Sequence, residues 1–249
     1  MIELQNIYKT YTVGQAKPIN VVQNLSLTIY KNDFAVIVGA NGSGKSTLLN
    51  LISGNVQPNS GKVFINDTDV TKLPDYKRSS TIARVFQNPF SGTAADLSIL
   101  DNFRLAALRT QSKTLKIGVN QNFKNKVAQQ IEQLGMGLEN KLAQPMGSLS
   151  GGQRQALTLL MAVMDDLKIL LLDEPTAALD PRSAEKVMRM AKKITQQYQL
   201  CTVLITHNLK DAFTYGNRII QMAEGEIVKD LDLELKTKLT QNEIYSWFS

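Results

Sequence analysis

Hydrophobic and polar positions change rhythm several times along the chain, and each rhythm predicts an element. Ile2-Glu-Leu-Gln-Asn-Ile7 and Leu25-Ser-Leu-Thr-Ile29 alternate, the signature of strands with one buried face. Phe34 to Val38 is apolar throughout, which suits a strand covered on both faces. Lys45 to Ile52 reads as a helix, Pro58-Asn-Ser-Gly61 as a turn and Lys62 to Ile65 as a further strand. From about 88 to 165 the chain becomes Gln- and Lys-rich with a helical pattern, Val127, Ile131 and Leu134 falling on one face. Strand character returns at Lys168 to Leu172 and at Thr202 to Thr206, with a helix from Pro181 to about Tyr198 between them. A βα core interrupted by a helical insertion follows from that order. Thr240 with Glu243 forms a capping box for a short helix carrying Ile244 and Trp247, read as packing rather than chemistry.

Composition narrows the class. A chain of 249 residues, 43% hydrophobic and 20% charged, fits one large soluble α/β domain. No apolar run approaches the ~18–20 residues that span a bilayer, and the first residues lack a basic region followed by an apolar one, so no signal peptide is expected. The lone Cys201, inside Leu-Cys-Thr-Val-Leu-Ile, reads as a buried filler in a protein of the reducing cytosol. Net charge is +6, and part of the excess is local: Arg109, Lys113, Lys116, Lys124 and Lys126 fall in a stretch without an acid. That stretch reads either as a solvated surface or as a face held near anionic lipid. It lacks interleaved aromatics, so nucleic acid is not expected as a partner.

The chemistry begins at Gly39-Ala40-Asn41-Gly42-Ser43-Gly44-Lys45-Ser46-Thr47. This satisfies G-x-x-x-x-G-K-[ST] and lies between a predicted strand and a predicted helix, the context that gives the motif meaning. The glycines let backbone N–H groups point inward, and the helix start adds its positive dipole end. Lys45 supplies a point charge for β- and γ-phosphates and Ser46 a hydroxyl for Mg²⁺. Further on, Ile169-Leu-Leu-Leu-Asp173-Glu174 delivers two carboxylates at the end of a buried strand, where open α/β sheets bind ligands. Asp173 is expected to hold Mg²⁺ through a water and Glu174 to act as general base on the attacking water. His207, the only histidine, also ends a predicted strand and is expected near the γ-phosphate or that water. Gln87 ends the strand-like run Ala-Arg-Val-Phe. Its amide oxygen is suited to Mg²⁺ or the water, and its place at the root of the insertion suits it to report phosphate occupancy.

A second Gly-rich turn, Leu149-Ser150-Gly151-Gly152-Gln153, precedes another helix and reads as a second anion nest. One chain cannot easily bring both turns to one phosphate, whereas two facing copies can. The expected arrangement is nucleotide clamped between two chains.

On these motifs the chain resembles ATP-binding-cassette ATPase subunits over essentially its whole length. The resemblance makes 39–47 the Walker A loop, Gln87 the Q-loop, 149–153 the signature and 169–173 the Walker B strand. Glu174 is then the catalytic base, Ala178-Leu-Asp180 the D-loop and His207 the switch histidine. It also implies an adenine-stacking aromatic at Tyr11, with Tyr8 as the alternative. The implied fold is a RecA-like P-loop NTPase core, about 1–87 and 165–249, with an N-terminal antiparallel β subdomain and an inserted helical subdomain, about 88–164, in a single domain 1–249. Implied cofactors are ATP and Mg²⁺.

Without a fused membrane span, a second cassette or a long heptad insertion, the chain is similar to free-standing prokaryotic transporter subunits, importers more than exporters. The implied partners are a second ATPase subunit, a transmembrane permease and an extracytoplasmic solute-binding protein. The implied location is the inner face of the cell membrane. Phe86-Gln-Asn-Pro-Phe-Ser-Gly-Thr-Ala with Leu97 to Asn102 looks like import ATPases for small organic solutes, aromatic amino acids among them, and Phe90 to Asn102 is the expected groove for the permease. An export complex, and an ATPase that drives a soluble protein or nucleic-acid assembly, remain the alternatives.

Overall fold

The computed structural model describes every residue except 13, 15, 16, 110–117, 166, 241, 242, 244–246, 248 and 249. Lys113, Lys116 and Ile244 therefore lie outside the described residues. The chain opens with β1 (Ile2–Tyr11) and β2 (Ile19–Ile29), both longer than their alternating cores predict. They join β4 (Ser60–Ile65) and the two-residue β5 (Thr68–Asp69) in an antiparallel sheet ordered β2-β1-β4-β5. β3 (Phe34–Val38) and α1 (Lys45–Ser53) come between β2 and β4, and α2 (Asp75–Arg78) and β6 (Ile82–Val85) follow β5.

The second sheet holds β3, β6, β7 (Ile169–Asp173), β8 (Cys201–Ile205), β9 (Arg218–Ala223) and β10 (Glu226–Leu231), in the order β10-β9-β3-β8-β7-β6. All neighbours in it run parallel except β10, which pairs antiparallel with β9. The continuous apolar strands are covered on both sides, and their alternate residues serve two cores. Val36, Val38, Leu170, Leu172 and Leu204 face one cluster, while Ala35, Ile37, Leu171, Val203 and Ile205 face the other. The second core also takes the inner face of β1, β2 and β4 and the leucines of α1.

α1 is held at its far end by Arg78, buried and donating to Leu51 O (2.8 Å) and Ile52 O (2.9 Å). Burial pulls this guanidinium down to about 10.

Between β6 and β7 lie α3 (Ile99–Ala106), α4 (Gln121–Glu132) and α5 (Gly151–Ala162). Val127 and Ile131 are buried and Leu134 packs beside them, on the face that their spacing predicts. The helical pattern expected from residue 88 starts late: 87–98 is a run of turns. Buried Asn102 organises it, donating to Ala94 O, Leu97 O and Ser98 O while its own oxygen accepts from Ala94 N. A side chain that satisfies backbone groups in this way competes with helix formation.

Arg109 corrects a second expectation. It belongs neither to a solvated surface nor to a lipid-facing one. Its Nη2 donates to Met161 O and Ala162 O at the end of α5, beside Asp165.

The remaining helices are α6 (Pro181–Gln197), α7 (Leu209–Tyr215) and α8 (Leu233–Lys238). β9, β10, α7 and α8 have no counterpart in the sequence reading. The Thr240–Glu243 reciprocal bonds form as expected, at 2.7 and 3.3 Å, and Trp247 packs against the first core with Lys229 over its ring. Cys201 is buried, and burial pushes its thiol up to about 12, in keeping with an inert filler. No helix among the described residues is long and apolar enough to cross a membrane.

Candidate functional site

The loop 39–47 leaves the C-terminal end of β3, at the centre of the parallel sheet, and enters α1. Gly44 caps the helix with φ +100°, and a Cβ there would stand 2.7 Å from Val21 O. A Cβ on Gly39 would stand 2.2 Å from Met222 O. The loop is thus cast against β2 and the β9–β10 turn, where Gly225 N donates to Ser43 O (3.2 Å). Sequence reading missed Val21, Met222 and Gly225 as supports; the Glu224-Gly225 turn is the one signal that marks them. Ser43 Oγ is buried without a hydrogen-bond partner, packed where a Cβ on Gly39 would stand.

Lys45 is buried and its Nζ donates to Gly39 O and Ala40 O, both at 2.8 Å. Burial holds its ammonium below the usual lysine range, and Glu174 and Asp173 pull it back up. A cation so restrained, at a helix start, is suited to a dianionic phosphate.

A cavity of about 170 Å³ gathers Asn41, Gly42, Gly44, Lys45, Ser46 and Thr47 with Glu174 and His207. Glu174 follows β7 directly and takes φ +47°, a left-handed conformation that is costly for a residue with a Cβ. Its N–H donates to Ile205 O (3.0 Å), which ties it to the end of β8. His207, two residues past that end, places Nε2 2.5 Å from Glu174 Oε2. The two sheet-edge residues that the sequence singled out separately form one pair. A broader cavity of about 770 Å³ adjoins them along α7.

Asp173 does not line the smaller cavity. Its Oδ2 lies 2.5 Å from Arg84 Nη2, a partner that the sequence reading did not identify. Gln87 is exposed in the turn after β6, and Gln155 Nε2 donates to Phe86 O (2.9 Å) just before it. Tyr11 ends β1 half-buried with Lys9 over its ring, while Tyr8 is exposed. Neither tyrosine lines the cavity.

The 149–153 turn opens a helix, as expected, but without the left-handed residues of a nest. Ser150 caps α5, accepting from Gln153 N while Gln153 Oε1 accepts from Ser150 N. Gly151 and Gly152 are already helical and have no positive φ. The donors are those of a helix N-terminus rather than of alternating left-handed residues. Gly152 is required by packing: a Cβ there would meet Ser183 Cβ and Oγ at 2.7 Å. Ser183 belongs to the first turn of α6, whose cap is Asp180, accepting from Arg182 N and Ser183 N. Those bonds hold the Asp180 carboxyl below its usual range, the Ser183 bonds most. Behind the turn, buried Arg154 stacks on Phe90 at 3.9 Å and donates to Gly147 O. None of Ser150, Gly151, Gly152, Gln153 or Asp180 lines the Lys45 cavity.

Three oxygen donors, the Ser46 hydroxyl, the Asp173 carboxylate and the Gln87 amide, are hard ligands of the kind that suits Mg²⁺, so the donor chemistry fits that ion.

The family described as ABC transporter matches residues 22–177. The chain is 38% identical over 248 residues to the tyrosine transport ATP-binding protein of Clostridioides difficile, covering 100% of this chain and 98% of that one. It is 30% identical over 258 residues to the methionine import ATP-binding protein MetN 1 of Bacillus thuringiensis, covering 99% of this chain and 72% of the relative. Among solved structures, the dimeric post-hydrolysis state of the ATP-binding cassette MJ0796 with ADP and Pi superposes with TM-score 0.80 at 30% identity. That match covers 94% of this chain and 99% of the cassette.

Proposed function

The chain belongs to the ABC transporter family, and from that premise we propose how its own residues serve the ATPase cycle. It is the ATP-binding and ATP-hydrolysing subunit of a transporter, on an α/β cassette fold with a RecA-like sheet and an antiparallel β subdomain. The proposed unit is one domain, 1–249, with the core at 1–87 and 165–249 and the helical subdomain at 88–164. In support, the first core cluster runs unbroken from Phe103 and Val127 to Leu170 and Leu172.

Two copies face each other and hold two ATP molecules, each between the 39–47 loop of one copy and the Ser150–Gln153 helix start of the other. The support within this chain is that the 150–153 donors stay outside their own Lys45 cavity. Gly39 to Thr47 wrap the phosphates, Lys45 balances the β- and γ-charges, and Tyr11 stacks on adenine. Ser46, Asp173 and Gln87 would hold Mg²⁺, which when bound neutralises phosphate charge. Asp180, which caps α6 where Ser183 packs on Gly152, joins these residues in binding the nucleotide at the seam between copies.

The observation that carries the catalytic reading is the Glu174–His207 pair at 2.5 Å beside Lys45. Glu174 takes a proton from the attacking water, and His207 orients that carboxylate from the end of β8. Replacing Glu174 with Gln keeps the shape and removes the base. Turnover should fall by about 10²–10⁴-fold with ATP binding spared. Full steady-state turnover in Glu174→Gln would refute the base assignment.

The transporter's other parts are a transmembrane permease, docked along Phe90 to Asn102, and an extracytoplasmic solute-binding protein. The ATPase sits in the cytoplasm on the inner face of the cell membrane through the permease. Import of a small organic solute of the amino-acid type is the reading that the relatives' names favour. Co-purification with a polytopic protein from detergent-solubilised membranes tests the docking, and vesicle uptake against efflux in the reconstituted complex tests the direction.

A further inference from the structure

Arg84 stands on β6, the edge strand, three residues before Gln87. It lies on the same sheet face as Ile82 and its register partner Leu171, the face that packs on α1. The guanidinium reaches three places from there. Nη2 is 2.5 Å from Asp173 Oδ2, Nη1 donates to Asn50 Oδ1 at 2.6 Å, and the group lies 4.9 Å from the centroid of the Phe86 ring.

Each contact is at, or one step from, a residue proposed above to hold the divalent cation. Asp173 is one of them. Asn50 is four residues after Ser46 on α1, so the two share a helix face one turn apart. Phe86 immediately precedes Gln87. We infer that Arg84 is a positioning residue that fixes the separations of Ser46, Asp173 and Gln87, so that a divalent cation meets oxygen donors already in place. The inference rests on the assignment of those three residues as the cation's contacts.

The chemistry of the side chain supports the role. A planar fork can bridge two acceptors and stack on an aromatic at once; an ammonium cannot. Fold stability offers a weaker reason for an arginine here. Its Nε is buried without a partner, and the ion pair to Asp173 is largely buried, with side chains 12% and 15% exposed. Well-packed apolar side chains commonly replace such pairs without loss of stability.

The test uses the full chain with Glu174→Gln as parent, so that ATP is bound without turnover. ATP affinity is measured by equilibrium dialysis in Mg²⁺ and again in EDTA. Adding Arg84→Met should shrink the Mg²⁺-dependent gain about tenfold or more, with EDTA affinity within about threefold of the parent. Arg84→Lys should restore only part of the gain. Asn50→Leu, which removes one arm and leaves the ion pair, should shrink it by a smaller factor, and it carries the test if Arg84→Met does not fold. An undiminished Mg²⁺ gain in these variants overturns the inference while leaving the metal assignment standing. A parent with no Mg²⁺ gain overturns the metal assignment, and the inference with it.

Discussion

The loop at 39–47 and the turn at 149–153 both run through glycines into a helix, and glycine is needed in them for different reasons. In the first, Gly42 and Gly44 take φ of +83° and +100°, and the backbone itself has a shape that other residues resist. In the second, Gly151 and Gly152 are ordinary first-turn helical residues, and the demand comes from outside, from α6 packed against Gly152. The first turn is a bowl of donors made by its own conformation and closed from behind by β2 and the β9–β10 turn. The second is the bare start of a helix, held in place by a capping box and by a neighbouring helix. The first turn is therefore shaped within a copy, whereas the second keeps its donors outside that copy's own Lys45 cavity, in keeping with the facing-copy arrangement proposed above.

The largest expected effect comes from breaking the first kind of glycine. Gly44→Ala combines a left-handed φ with a Cβ 2.7 Å from the Val21 carbonyl, a backbone atom with little room to yield. ATP affinity should fall about 100-fold or more while the far-UV circular dichroism stays that of the parent. Binding close to parental would mean that the bowl tolerates reshaping, and the contrast between the turns would lose its basis.

Gly152→Ala comes next. Its added methyl meets the Ser183 side chain at 2.7 Å, and overpacking of this sort costs about 1–3 kcal/mol. The loss should appear in chemical denaturation rather than in ATP binding to an isolated copy. Pairing it with Ser183→Gly should recover most of the stability, because the obstacle is a side chain; no recovery in the double variant would place the strain elsewhere.

Gly151→Ala should do least. Its nearest neighbour is the end of the flexible Leu179 side chain at 3.2 Å, and alanine is the better helix former. A denaturation free energy within about 0.5 kcal/mol of the parent is expected. A drop as large as that of Gly152→Ala would show that the turn needs both glycines for shape.

Much of the candidate site was legible because its residues are marked by local spacing. Gly39 to Thr47, Asp173 with Glu174, and His207 each sit at the end of a strand whose apolar run is visible in the chain. Tertiary structure added the contact between them: Glu174 and His207 are 33 residues apart and meet because β7 and β8 pair in register. The expectation of helix from residue 88 failed because Asn102 gathers the carbonyls of 94, 97 and 98 into a turn, a contact that periodicity does not encode. β9 and β10 escaped notice for a related reason. Each is six residues long, with Gln221 buried in one and charged residues on the other, so neither pattern stands out until β3 supplies the neighbour that β9 pairs with.

By itself, then, the sequence determined the elements with a strong apolar rhythm and the groups whose chemistry depends on near neighbours in the chain: glycines that free the backbone, a lysine at a helix start, acids at a strand end. The tertiary structure alone decided what Arg84, Arg109 and Gly152 touch. A lone cation or a glycine carries no intrinsic role. Its function is set by which carbonyl, carboxylate or methylene another element brings within about 3 Å of it, where hydrogen bonding and steric contact take hold.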